Sequence, residues 1–90
     1  MALFDLGRVC ATPGALEILE EAQTSPSELL ARHQAGDWGE LDAHDRGENT
    51  KSLKHGFRVL SSYPLPTGEK VWVLTEASRE ATTILLPSEY

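Results

Sequence analysis

The spacing of the apolar residues changes at Gly56, and this change constrains the fold more than any other feature of the chain. Before Gly56 the apolar residues recur at helical spacing, and after it they alternate with polar residues or form short β-rich runs. The pattern predicts three strands, at 57–63, 71–75 and 82–86, with a hairpin loop at 64–68 and a second connection at 76–80. A further strand is expected at 3–9.

The first third of the chain contains two signals for the start of a helix. Thr12 can cap a helix that has Pro13 at its first position and runs to about Ala22. Ser25 and Glu28 have the spacing of a capping box, and Gly36 is expected to end that second helix. The predicted inward residues are Leu16, Ile18 and Leu19 in the first helix and Leu29, Leu30 and His33 in the second.

A third helix is predicted from Asp42, as its cap, to about His55, with Gly56 as its terminator. It is poor in apolar residues and offers chiefly Ala43 and Leu53 to the interior, so we expect it on the surface. The predicted fold is α+β, with about three N-terminal helices packed on one face of a small antiparallel sheet of three or four strands.

Length and composition predict one globular domain over residues 1–90. The 90 residues are 40% apolar and 24% charged, which is ordinary for a folded domain. The single cysteine, Cys10, is predicted to be a small buried apolar residue. No apolar run approaches the roughly 20 residues that span a bilayer, and the N-terminus lacks the features of a secretory signal. We therefore expect a cytoplasmic protein that does not bind membranes.

The net charge of −6 is concentrated in one segment. The segment from Glu17 to Glu48 contains nine acidic residues and only two basic ones, and the rest of the chain is nearly neutral. Such a surface repels phosphate backbones and attracts basic protein surfaces. Two interpretations stay open: an acidic face that keeps the protein in solution, and a binding surface for a basic partner.

The segment RHQAGDWGELDAHD, residues 32–45, combines histidines, carboxylates, glycines and a tryptophan. His33 and Asp37 have a metal-ligand spacing on a helix, and further ligand types follow at Asp42, His44 and Asp45. Gly36 argues against a shared helix face, because it should end the helix between the first two. The alternative is that these carboxylates cap turns and helix starts. No cofactor is predicted.

Nucleophilic catalysis has little support, since there is no G-x-S-x-G motif and no base is placed beside Cys10. A small RNA-cleaving enzyme or toxin remains an alternative, with His33 as base, Arg58 or Arg79 binding the phosphate and Glu76 as partner. Such enzymes usually need a basic face to hold RNA, and this chain has eight lysines and arginines in all.

The aromatic residues leave two choices open. Trp72, between two valines in a predicted strand, is expected in the core or half-buried. Trp38 follows a helix end and belongs to no period, so it either folds back under its loop, which we favour, or is exposed as a binding anchor. Tyr90 either packs on the sheet or extends from it.

The chain also resembles a family of small, uncharacterised "plasmid-related" bacterial proteins found on mobile elements and chromosomes. The resemblance covers nearly the whole chain and is carried by LGRVCATPGAL at 6–16, RHQAGDWGEL at 32–41, RVLSSY at 58–63, VWVLTEASR at 71–79 and TTILLPSEY at 82–90. It implies a mobile-element or accessory setting, in which small acidic proteins often bind host machinery. It implies no mechanism.

The leading prediction is therefore a non-catalytic interaction protein whose acidic helical surface binds and inhibits or modulates a larger basic partner. The expected partner is a nucleic-acid-handling or defence complex, as for anti-restriction or anti-CRISPR proteins. A monomer or an edge-paired homodimer is expected, and the sequence does not indicate which sheet edge would pair. The predicted partner-binding residues are Glu17, Glu20, Glu21, Asp37, Trp38, Glu40, Asp42, Asp45 and Glu48.

Overall fold

The structure, a computed structural model, describes residues 2–90 and has the predicted α+β class. Three helices and four strands follow one another along the chain, and a short 3-10 helix, Pro87–Glu89, comes last. Their bounds are β1 Arg8–Ala11, α1 Pro13–Glu21, α2 Pro26–Gln34, α3 Ala43–His55, β2 Val59–Pro64, β3 Lys70–Thr75 and β4 Ala81–Leu85. No helix among these residues is long and apolar enough to cross a membrane.

The four strands form one mixed sheet in the order β1-β4-β3-β2. The last three strands make the predicted antiparallel meander, whereas β1 pairs with β4 in parallel. The early strand begins at Arg8, near the end of the predicted range 3–9. The sheet differs from the expected antiparallel one because β1 joins β4 across most of the chain, a pairing that short-range patterns do not reveal.

The two faces of the sheet have different roles. Helices α1 and α2 pack on the helical face, where alternate strand residues form the core with helix residues. The core contains Ala15, Leu19, Leu29, Tyr63, Leu65, Val71, Val73 and Ile84. The other side, which we call the open face, carries Leu60, Ser62, Trp72, Leu74, Thr83 and Leu85.

The predicted caps of α1 and α3 are confirmed, and that of α2 is only partly so. The side chain of Thr12 accepts the Ala15 N–H at 3.1 Å, and that of Asp42 accepts the Asp45 N–H at 2.8 Å. Ser25 does precede α2, but its hydroxyl bonds the Ser27 hydroxyl, 2.7 Å away, and caps no backbone N–H. The capping box is therefore absent from α2.

The predicted burial is wrong for Leu16, Cys10 and Ala43, which are all exposed. Leu16 is 47% exposed, because the inward side of α1 is centred on Ala15 and Leu19. Cys10 is exposed, because β1 is an edge strand. The buried residues of α3 are Asn49 and Ser52, whereas Leu53 is only half-buried.

The burial of Asn49 has a structural cause at the β2 edge of the sheet. Its side-chain nitrogen donates to the Leu60 carbonyl at 2.7 Å, and its side-chain oxygen accepts the Leu60 N–H at 3.1 Å. Asn49 thus takes the place of a neighbouring strand residue, which satisfies an edge that would otherwise be unpaired. An amide at this contact both donates to and accepts from the strand backbone, which a leucine could not do.

Candidate functional site

The segment 32–45 comprises the end of α2, the connection to α3 and the first residues of α3. Gly36, at φ 86°, follows the end of α2, and the chain then runs beside β2. The Trp38 carbonyl accepts the Ser62 N–H at 3.0 Å, and the Glu40 N–H donates to the Ser62 carbonyl at 2.7 Å. Together with Asn49, these bonds close the β2 edge.

Trp38 folds back under this connection, as favoured above, and is only 7% exposed. Its ring lies 6.0 Å from the His33 ring, centre to centre, and 6.4 Å from the Phe4 ring, which stacks on it. An enclosed tryptophan offers little surface to a partner, so this burial argues against Trp38 as a partner-binding residue.

His33 is buried, with no exposed surface, at the centre of a chain of hydroxyl groups. Its Nδ1 lies 2.5 Å from the Ser61 hydroxyl and its Nε2 2.9 Å from the Thr75 hydroxyl. The Thr75 and Thr82 hydroxyls are 2.8 Å apart, and Thr82 donates to the Leu6 carbonyl at 2.7 Å.

The Leu6 carbonyl sets the direction of these bonds, because it can only accept. Since Thr82 donates to it, Thr75 donates to Thr82 and accepts from Nε2–H of His33. In the neutral imidazole, which burial favours, Nδ1 carries no proton and accepts the Ser61 hydroxyl proton. The resulting chain of hydrogen bonds links α2 to β2, β3 and β4 and leaves neither ring nitrogen of His33 free for a ligand.

Burial lowers the pKa of His33 from 6.5 to about 4, with the positive charge of Arg79 adding to the effect. The unfolded chain therefore takes up a proton between these values, whereas the folded protein does not. We expect the free energy of unfolding to fall by about 2 kcal/mol between about pH 7.5 and about pH 5, and to level off above the unfolded pKa. Urea unfolding across this range measures the change.

Two variants provide the control for this pH dependence. His33→Gln should remove the slope, whereas the double variant His44→Gln/His55→Gln should keep it, because both of those histidines are exposed. An unchanged slope in His33→Gln would show that another group is responsible.

The enclosed position of His33 argues against the RNA-cleaving alternative. Arg58 and Glu76 do lie at the same end of the sheet, next to the paired Val59 and Thr75, but both are exposed, and Arg58 sits over the Tyr90 ring. Arg79 binds backbone carbonyls, among them those of Phe57 and Ser52. A base that cannot contact substrate cannot start the reaction, so these residues do not form the predicted site.

The predicted metal ligands are also separated. His33 lies in the core, whereas Asp37 binds the Arg32 guanidinium at 2.7 Å, which holds the pKa of its carboxyl below the usual range. His44 is exposed on α3, where it faces Glu48 at 3.8 Å. Within residues 2–90 no three His, Cys, Asp or Glu side chains are placed to share a metal ion.

Seven of the nine acidic residues between Glu17 and Glu48 form two groups on opposite sides of the sheet, whereas Glu28 is exposed on α2 and Asp37 is paired with Arg32. Glu17, Glu20 and Glu21 are exposed on α1, which packs on the helical face. Four others line a groove at the open face: Glu40, Asp42, Asp45 and Glu48. The single acidic surface predicted from the sequence is therefore divided, and only the second group borders a concavity.

We call this concavity the acidic groove. It has a volume of about 820 Å³ and lies between α3 and the open face. Phe57, Leu60 and Trp72 give it apolar surface, and Phe57 is 59% exposed. Tyr90 packs edge-on against Trp72 with ring centres 5.5 Å apart, so the end of the chain lies on the sheet beside the groove.

The charges of the groove are only partly neutralised within the protein. Lys70 binds Glu40 at 2.6 Å, and Lys51 lies 3.9 Å from Glu48. In the part of the chain that the structure describes, no lysine or arginine side-chain nitrogen lies within 4.0 Å of the carboxylate of Asp42 or Asp45. Arg58 also lines the groove, with its guanidinium over the Tyr90 ring. Four carboxylates and two cationic side chains thus line the groove, which combines apolar surface with a net negative charge, a combination suited to a basic, partly apolar ligand.

Sequence reasoning found the acidic side of the groove and missed its apolar side. The alternation in β2 and β3 does place Leu60 and Trp72 on one face, and this signal could have identified them. The exposure of Phe57 could not be foreseen, because it depends on where α3 ends relative to the sheet.

Comparison with known proteins finds no matching protein family, no similar curated protein and no similar solved structure. The resemblance to the plasmid-related family therefore stays a prediction.

Proposed function

We propose that this is a non-catalytic interaction protein that binds a basic segment of a larger protein in the acidic groove. The observation that carries the proposal is that Asp42 and Asp45 line the same groove as the exposed Phe57 and the half-buried Leu60 and Trp72. Covering that apolar surface would supply affinity, and the carboxylates would select a basic ligand and speed its approach.

The partner we propose is a nucleic-acid-handling protein, because such proteins carry the exposed basic surfaces that the groove complements. An acidic protein bound there would compete with phosphate backbones and so inhibit the partner. In its narrower form the proposal is an anti-restriction or anti-CRISPR function encoded by a mobile element. This form rests on the charge of the groove and on the family resemblance.

Photo-crosslinking tests the groove directly. A benzophenone amino acid replaces Phe57 in one variant and Leu16, exposed on α1, in a matched control. In a lysate of the source organism, we expect the Phe57 variant to crosslink a larger protein in low salt, with a yield that falls in high salt. Mass spectrometry then identifies that protein. Equal crosslinking from both positions, or none from Phe57, would contradict the proposal.

Charge reversal separates the groove from the acidity of the protein as a whole. Asp45→Lys/Glu48→Lys should weaken binding to the identified partner by at least about tenfold, because it reverses two charges at the groove. The control Glu17→Lys/Glu20→Lys changes the net charge equally on α1 and should change the affinity by less than about twofold. Isothermal titration measures both, and equal losses would indicate a merely electrostatic attraction.

A further inference from the structure

The β1 edge of the sheet is open, unlike the β2 edge. The Arg8 N–H donates to the Glu80 carbonyl at 2.8 Å, and the Thr12 N–H donates to the Ile84 carbonyl at 3.0 Å. Backbone groups alternate along a strand, so those of Val9 and Ala11 point away from β4. Within residues 2–90 these outward groups have no hydrogen-bond partner.

Val9 adds apolar surface to this edge. Its side chain is 45% exposed, and all of Arg8–Cys10 is exposed. Proteins usually protect such an edge with a bulge, an inward charge or a covering element. Here the β2 edge has that protection, from Asn49 and the segment that carries Trp38, and the β1 edge lacks it.

We propose that two copies of this chain pair through β1, antiparallel, with Cys10 opposite Cys10 of the second copy. In this register each Val9 faces Ala11 of the other copy, so the outward backbone groups satisfy one another. The result is a two-fold symmetric dimer with a continuous eight-stranded sheet. The acidic groove borders β2, at the opposite edge, and stays accessible.

Backbone geometry selects this register over its neighbour. Centring the pair on Val9 would require Gly7 to pair with Ala11, but Gly7 has φ 65° and lies against the Glu80 backbone. Extended backbone begins at Arg8 and continues through Thr12, whose ψ is 152°. The stretch from Arg8 to Thr12 is centred on Cys10.

Charge complementarity across the seam supports a second copy as the occupant. The proposed register sets Arg8 opposite Thr12 of the other copy. The Glu89 carboxylate accepts the Leu86 N–H at 2.8 Å and the Thr12 hydroxyl at 2.7 Å, and these bonds hold the pKa of Glu89 below its usual range. Each Arg8 would therefore approach the Glu89 carboxylate of the other copy, which gives two equivalent ion pairs related by the two-fold axis.

Sedimentation equilibrium under reducing conditions, at about 10 to 500 µM protein, tests the dimer. We expect a reversible monomer–dimer equilibrium. Val9→Pro should lower the association constant at least about tenfold, since it removes an outward N–H and leaves the β1–β4 bonds intact. The control Val9→Thr keeps the N–H and should stay within about threefold of the wild type. A monomer throughout, or a dimer unaffected by Val9→Pro, overturns the proposal.

Cross-linking tests the register without relying on a disruptive variant. A non-hydrogen-bonded antiparallel pair has Cα atoms about 4.5 Å apart, within the range for a disulfide. Mild oxidation should therefore link wild-type chains through Cys10 much faster than two variants that lack Cys10. One carries Cys10→Ser/Val9→Cys, and the other carries Cys10→Ser/Thr67→Cys in the exposed hairpin loop. Fastest linking through Val9→Cys, or equal rates in all three, overturns the Cys10 register.

Discussion

Trp38→Ala is expected to lower the free energy of unfolding by about 3 to 5 kcal/mol, the usual cost of truncating a large enclosed aromatic residue. The ring lies against His33 and Phe4, so its loss leaves a void beside the buried hydroxyl chain. The substitution keeps the backbone bond from Ser62 to the residue 38 carbonyl, so the effect reports the side chain. Urea unfolding monitored by circular dichroism measures it.

Trp72→Ala is the matched control, because it removes the same side chain from the half-buried open face. We expect a loss of less than about 2 kcal/mol, since much of that ring is already hydrated. The same variant should weaken partner binding, because Trp72 lines the acidic groove. Similar losses of stability in the two variants would contradict the different roles assigned to the two tryptophans.

Local features of the fold could be predicted because their causes lie within a few residues of sequence. Thr12 and Asp42 accept N–H bonds from residues three positions later, and Gly56 ends α3 with φ 77°. The alternation that begins after Gly56 sets which side of β2 and β3 is buried. Each of these signals depends on backbone geometry that a short window contains.

Long-range pairing could not be predicted in the same way. Cys10 looks like a core residue by composition, and it becomes exposed only because β1 occupies the edge of the sheet. Asn49 looks like a surface residue of a polar helix, and it becomes buried because the β2 edge needs a partner for Leu60. In both cases the neighbouring element decides the environment.

The candidate site was half predictable for a related reason. The sequence shows how many acidic residues the segment contains, but not on which side of the sheet each of them lies. Glu17 and Asp45 belong to one acidic segment of the sequence, yet α1 packs on the helical face and α3 borders the open face. His33 lies near many potential metal ligands in the sequence, but in the structure its side chain is buried and bonds the Ser61 and Thr75 hydroxyls instead.

Gly39→Ala is expected to destabilise the protein by about 3 kcal/mol or more, for two separable reasons. Gly39 has φ 72°, which an L-residue rarely adopts, and its backbone runs directly against β2. An added Cβ would overlap the Ser62 carbonyl and lie 2.7 Å from Cδ1 of Tyr63. Neither backbone can withdraw without breaking the bonds that close the β2 edge.

Two other glycines separate the steric cost from the conformational one. Gly56 has φ 77° with no atom within 4 Å of an added Cβ, so Gly56→Ala should cost only about 1 kcal/mol. Gly47 lies inside α3 with equally open space, so Gly47→Ala should stabilise the protein by about 0.5 to 1 kcal/mol. Urea unfolding should therefore order the variants Gly47→Ala, wild type, Gly56→Ala and Gly39→Ala. If Gly39→Ala costs no more than Gly56→Ala, the close approach to Ser62 is wrong, and with it the closure of the β2 edge that leaves β1 as the open one.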